Sequence, residues 1–304
     1  MRIGIDVGGT KIEGTAINED GRELRLWRVA TPRGDYEATL KAISDLVRQI
    51  ELETSRQGTV GLGIPGAPSP ASGLIKNANS TWLNGRPIQG DLEVLLGRDV
   101  RVANDANCFA LSEAIDGAGT GAEVVFGVIV GTGTGAGIVV GGHVLTGPNA
   151  IAGEWGHNAL PWPEPHEYPG PVCYCGRRGC IESFLSGPAL SADFEQCAGQ
   201  SLTADEIVAR VSRGDAMASA ALDRYESRMA RALASIINVL DPNVIVLGGG
   251  MSKTDRLYEH VPRLWDAYVF SAGGGADASR TRLVRAKHGD SSGVRGAAWL
   301  WPAR

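Results

Sequence analysis

Asp6, Gly8, Gly9, Thr10 and Lys11 close one apolar, β-branched run, and Gly131, Thr132, Gly133, Thr134 and Gly135 close another. Each group joins backbone amides bare of side chains to hydroxyls, and the first adds a cation. These are the donors that bind phosphate oxygens. A third cluster, Gly248-Gly249-Gly250-Met251, follows the run Val244–Leu247 and offers bare backbone against which a base or ribose can lie. Asp6, just before the first turn, suits Mg²⁺ held directly or through water. The spacing is not that of a Walker loop, and a strand rather than a helix follows the first turn, which argues against a dinucleotide fingerprint. A tight hairpin with glycine at positive-φ positions would explain one such loop. Three clusters after three strands point instead to a nucleoside triphosphate gripped by a duplicated core, with the chemistry where the two halves face each other.

Asn104-Asp105 stands where the run Val100–Ala103 gives way to a helical pattern over Ala106–Ala114. Asp105 there suits two roles: N-cap of that helix, or general base at the carboxyl end of a strand, where α/β sheets place their ligands. As a base it would take the proton of a hydroxyl attacking a γ-phosphate, with Asn104 holding a neighbouring hydroxyl. Further on, His157 and the trio Cys173, Cys175 and Cys180 make a Cys₃His set, the donors of a tetrahedral structural Zn²⁺. Glu154 and Glu182 flank these residues and would be fixed by such a metal as hydroxyl acceptors. Cys108 and Cys197 fall outside the set and read as ordinary thiols.

The elements that must position these groups are legible in outline. Strands are expected at Arg2–Asp6, Lys11–Ile17, Thr59–Ile64, Val100–Ala103, Val124–Val130, Ala136–Val140 and Val244–Leu247. Helices are expected at Tyr36–Glu53, Thr203–Arg213 and Ala218–Leu240. In the last of these, Leu222, Tyr225, Met229, Leu233, Ile236, Ile237 and Leu240 form a core stripe. A tail helix over Ser291–Trp301 would be capped by Asp290 or Ser291. Strand pairs followed by helix–strand alternation, twice, predict two α/β domains with a seam near Gly117–Gly121. The expected division is residues 1–117 with a C-terminal helix 291–304, and residues 118–290 carrying the zinc loop. The Pro-rich stretch Asn149–Pro171 has the look of a functional loop, and Pro161–Pro171 has no assigned role.

Composition agrees with a globular enzyme: 304 residues, 43% hydrophobic, net charge −5 and five cysteines. The acidic balance excludes a broad basic face for nucleic acid. With no leader pattern and no apolar run of spanning length, the expected location is cytoplasmic, away from membranes.

In their order along the chain, Asp6–Lys11, Asn104-Asp105, Glu154-x-x-His157, Cys173-x-Cys175-x₄-Cys180-x-Glu182 and Gly248-Gly249-Gly250 resemble the ROK family of bacterial sugar kinases and repressors. The resemblance implies two RNase H-like domains of the actin-like ATPase fold around an ATP and sugar cleft. It implies ATP with Mg²⁺ and a structural Zn²⁺ as cofactors, a hexose as the other substrate, and a homodimer as a family expectation. Asp105 then matches the base for the 6-hydroxyl, and Asn104, Glu154, His157 and Glu182 match sugar contacts, His157 also ligating zinc. Gly66 and Asn79 match sugar-side loops. The segment Asn77–Gly85 and the tail His288–Gly296 look most like the fructokinase (manno(fructo)kinase) branch, so fructose, with mannose, ranks first. N-acetylglucosamine or glucose follows. A sugar-responsive repressor would carry a helix-turn-helix ahead of the first glycine loop, which here begins at residue 8. An actin-like filament or chaperone ATPase explains neither the zinc set nor Glu182.

Overall fold

The run Arg2–Val7 (β1) is followed by β2 (Lys11–Ile17), β3 (Glu23–Ala30), β4 (Thr59–Ile64), the short pair β5 (Ala67–Pro68) and β6 (Ile75–Lys76), and β7 (Val100–Asn104). β1 and β4 are buried on both faces, as central strands of a covered sheet must be. The computed structural model, which describes residues 1–271 and 278–302, joins five of these strands in the order β3-β2-β1-β4-β7. β1 pairs antiparallel with β2, and β2 with β3, while β1, β4 and β7 run parallel. A second sheet repeats the plan as β10-β9-β8-β11-β12. Its strands are β8 (Val124–Val130), β9 (Thr134–Val140), β10 (His143–Val144), β11 (Val244–Gly248) and β12 (Arg282–Arg285), with β8, β11 and β12 parallel. The duplicated core anticipated from the glycine loops is present, strand for strand.

The chain divides into two compact units: Met1–Gly121 with Gly137–Ala152 and Lys287–Arg304, and Ala122–Ala136 with Gly153–Ala286. In the first unit, α1 (Tyr36–Thr54) buries Tyr36, Leu40, Ile43, Leu46, Val47 and Ile50 at helical spacing. Asp35 caps it by accepting from the Ala38 amide at 3.0 Å. α2 (Ile88–Leu96) and α3 (Asp105–Ile115) follow, and α9 (Ser292–Trp299) closes the unit. α9 approaches the sheet so closely that only glycine fits beneath it. A Cβ on Gly61 would lie 1.8 Å from the Ala297 carbonyl oxygen, and one on Gly4 would lie 2.0 Å from that of Val294. The tail helix therefore exists as expected but starts at Ser292, and no side chain caps it. Residues 303–304 of the expected helix lie outside the described residues.

The second unit carries α4 (Glu182–Leu185), α5 (Gly187–Ala198), α6 (Ala204–Val211), α7 (Ala216–Leu240) and α8 (Arg256–Trp265). In α7 the expected stripe is buried at Leu222, Tyr225, Met229, Leu233 and Ile237, whereas Ile236 and Leu240 are only half-buried near the helix end. Its polar residues are also buried where they meet the Pro-rich loop: Glu167 accepts from Arg228 Nε at 2.7 Å and from Arg231 at 2.7 and 2.9 Å. That ion cluster gives the Pro161–Pro171 stretch its anchor. No helix among the described residues is long and apolar enough to cross a membrane.

Candidate functional site

Three neighbouring parallel strands bring the first group of residues to one edge of the first unit. Asp6 pairs in register with Gly63, and Ile64 with Asn104, so Asp6, Gly66 and Asn104-Asp105 all sit at the carboxyl ends of β1, β4 and β7. This is the edge where α/β sheets bind ligands. Asn104, not Asp105, caps α3: its Oδ1 accepts from the Ala106 amide at 2.9 Å and from that of Asn107 at 3.4 Å. Its Nδ2 donates to the Gly66 carbonyl at 3.1 Å. Gly66 has φ +80, and a Cβ there would lie 2.4 Å from the Lys76 carbonyl oxygen, so glycine is obligatory. Asp105 is the first helical residue, and its Oδ1 accepts from the Ala106 amide at 2.8 Å. Burial, and then the charges of Asp105 and Glu13, push the Asp6 carboxyl up to about 7 against the opposing pull of Lys11. Gly63 and Gly293 line the Asp6 carboxylate, a Cβ on either lying 3.4 Å from it in ordinary contact. Asn79 is exposed on its loop, next to an Ala78 clamped by both amide atoms of Asn84 at 2.9 Å.

The first glycine turn is a hairpin closed by Gly8 N donating to the Lys11 carbonyl at 2.9 Å and pinned by Thr31, whose hydroxyl donates to the Gly8 carbonyl at 2.7 Å. Neither Gly8 nor Gly9 has positive φ, contrary to the simple hairpin reading. Gly8 is required by the nearby Lys11 carbonyl, but among the described residues a Cβ on Gly9 would meet nothing within 4 Å. Thr10 and Lys11 are exposed, and Lys11 Nζ pairs with Glu13 at 3.1 Å. The expected phosphate cation thus has a carboxylate partner of its own.

In the second unit, the Gly131–Gly133 turn and the Gly248–Met251 cluster end the adjacent parallel strands β8 and β11. Gly249 has φ +79 and would clash with the Val130 carbonyl at 2.3 Å, whereas Gly131 and Gly250 face open space. These last two, with Thr132, Met251, Gly187 and Thr203, line a cleft of about 780 Å³. Gly187 and Thr203 bring in the N-terminal ends of α5 and α6, the positive ends of the two helix dipoles. The sequence reading missed both as part of this site. The Ser186 cap before Gly187-Pro188 and the Thr203-x-x-Glu206 capping box were the available signals. Gly135 lies within β9, just past the turn.

Glu154-Trp155-Gly156-His157 is fixed by its two middle residues. Trp155 packs edge-on to Phe126 of β8 at 5.8 Å, and a Cβ on Gly156 would lie 2.1 Å from the Thr134 carbonyl oxygen. Glu154 is exposed at the start of this turn. Glu182 opens α4, accepts from the Thr134 amide at 2.9 Å, and lies 4.0 Å from Cys173 Sγ. The ligand atoms of His157, Cys173, Cys175 and Cys180 all lie within 4.8 Å of one another. Cys173 Sγ is 3.6 Å from His157 Nδ1, and Cys175 Sγ is 3.6 Å from Cys180 Sγ. With Zn–S bonds of about 2.3 Å, a tetrahedral site has edges of about 3.8 Å, so the set fits zinc. Burial pushes the Cys180 thiol up to about 12, which makes the displacement of its proton the chemistry a metal would have to supply. His157 Nε2 points away from the sulfurs, 3.0 Å from the Tyr174 hydroxyl.

Residues 2–304 match the family model described as ROK. An N-acetyl-D-glucosamine kinase of Vibrio cholerae serotype O1 is 42% identical over 304 residues, covering 99% of each chain. Another, from Yersinia enterocolitica, is 39% identical over 306 residues with 99% of each chain covered. Among solved structures, the ROK hexokinase from Thermus thermophilus superposes with a TM-score of 0.85 at 33% identity, over 98% of this chain and 96% of that one. These relatives do not support the expected likeness to fructokinase in particular. The strand-for-strand repetition of two sheets and a match that runs the length of the chain lead to one conclusion: the chain belongs to the ROK family and has its two-domain α/β sugar-kinase fold of the actin-like ATPase type.

Proposed function

We propose that this ATP-dependent sugar kinase of the ROK family transfers the γ-phosphate of ATP to the 6-hydroxyl of N-acetylglucosamine. The observation that carries the choice of sugar is the full-length similarity to N-acetylglucosamine kinases. It displaces fructose, which rested on the Asn77–Gly85 and tail segments alone. In this reading Asp105 is the general base. It accepts the proton of the sugar's 6-hydroxyl as that oxygen bonds to the γ-phosphorus, and the bond from phosphorus to the β–γ bridging oxygen breaks to release ADP. Asn104, Gly66, Asn79, Glu154, His157 and Glu182 hold the sugar. The Gly8–Lys11 turn, Gly131–Gly135 and Gly248–Met251 hold the nucleotide, and Asp6 is the carboxylate for the Mg²⁺ that accompanies it. That ion would neutralise charge on the phosphates when bound. Zinc held by His157, Cys173, Cys175 and Cys180 would serve to fix the loop that carries the sugar contacts.

Support for the base comes from its position. Asp105 stands just past the end of a parallel strand, and although its Oδ1 also accepts from the Ala106 amide, the N-cap position itself is filled by Asn104. Replacing Asp105 by Asn tests it. Turnover is expected to fall by at least about a hundredfold, in line with the usual contribution of a general base, while calorimetry still registers sugar binding. Near-normal turnover of Asp105→Asn would remove Asp105 from that role.

A further inference from the structure

We propose that Tyr174 is a displaceable latch on the sugar site, its hydroxyl holding the place at His157 Nε2 that a sugar hydroxyl takes when substrate binds. The inference rests on the reading of His157 as a sugar contact. A neutral imidazole carries one N–H. Zinc held at Nδ1, which lies 3.6 Å from Cys173 Sγ, would place that hydrogen on Nε2 as a donor. A donor at a ligand site needs an acceptor in the absence of ligand, and the Tyr174 oxygen supplies it at 3.0 Å. The two rings stand edge to face, 5.1 Å apart at 85°.

Tyr174 is built to leave. It sits at the tip of the turn between Cys173 and Cys175 and is 80% exposed, so swinging the side chain out sacrifices little buried surface. The hydroxyl of Tyr174 lies at the imidazole that would recognise a hydroxyl of the substrate. A sugar hydroxyl replacing it exchanges one hydrogen bond to His157 for another, so the latch lowers sugar affinity and keeps the imidazole oriented between turnovers.

Tyr174→Phe keeps the ring and removes the competing oxygen. In calorimetry of the zinc-loaded protein with N-acetylglucosamine and no ATP, Kd is expected to fall about fivefold, the effect of one ordinary hydrogen bond. In wild-type protein labelled with 3-fluorotyrosine, the resonance missing from Tyr174→Phe identifies this residue among the six tyrosines, and it is expected to move on sugar addition. A Kd that is unchanged or raised in Tyr174→Phe, or a resonance that stays put while sugar binds, overturns the latch. Wild-type protein that binds no N-acetylglucosamine overturns the choice of sugar instead, and the same comparison is then made with the hexose that does bind.

Discussion

Replacing Glu167 by Gln should destabilise the second unit by about 3 kcal/mol at pH 7, and the loss should disappear in acid. The side chains of Glu167 and Arg231 are 2% and 1% exposed, and that of Arg228 is 7% exposed, so the cluster is largely screened from water. Burial alone would raise the Glu167 carboxyl. The hydrogen bonds from Arg231, Arg228 and the Glu164 amide outweigh it and hold the group at about 2, against an ordinary value of 4.5. A shift of that size corresponds to about 3 kcal/mol at 1.36 kcal/mol per unit, close to the 3–5 kcal/mol typical of a buried pair that loses one partner. Because the folded value is depressed, this stability is present above pH 4.5 and is lost as the pH falls toward 2. Urea unfolding followed by tryptophan fluorescence, run on both proteins from pH 7 to pH 3, reads the difference directly. A gap below about 1 kcal/mol at pH 7, or one that does not narrow on acidification, would refute the reasoning.

Four further outcomes are expected. Asp6→Asn should raise the thermal midpoint of the ligand-free protein above pH 7 and leave it unchanged below pH 4. The raised carboxyl of Asp6 penalises folding only where the unfolded chain ionises it, and scanning calorimetry at the two pH values checks the sign. Protein purified without added metal should contain about one zinc per chain by atomic emission. Cys180→Ser should lose that zinc, and retention of a full equivalent would remove Cys180 from the ligand set. Stripping the metal should raise the KM for sugar far more than that for ATP, because the glycine turns and the cleft of about 780 Å³ contain none of the four ligands.

How much of this could be read from the chain follows from the range over which each signal acts. The glycine turns, Asn104-Asp105 and the Cys₃His set are local patterns, and the fold places them at strand ends and in one cluster. Lys11 and Glu13 are two residues apart on a strand and so share a face, which makes their pairing readable from spacing alone. β3 carries little periodic signal because it is an edge strand with half of its residues exposed and one buried, and β12 because it has only four residues. α8 contains Pro262, a local sign of helix termination that tertiary packing overrides. Glu167 meets Arg228 and Arg231 across 61 and 64 residues, a pairing that leaves no local pattern. Sugar preference likewise escapes motif reading, because the residues proposed to hold the sugar would meet hydroxyls common to many hexoses.

The most direct test of the central claim is therefore a substrate comparison on the purified wild-type protein. kcat/KM should be measured with MgATP for N-acetylglucosamine, glucose, mannose and fructose, and the position of phosphate on the product read by ³¹P–¹H NMR. N-acetylglucosamine should be preferred by at least about tenfold, a margin within reach of one or two pocket contacts, with phosphate on O6. A preference for fructose or mannose, or a product phosphorylated elsewhere, would contradict it.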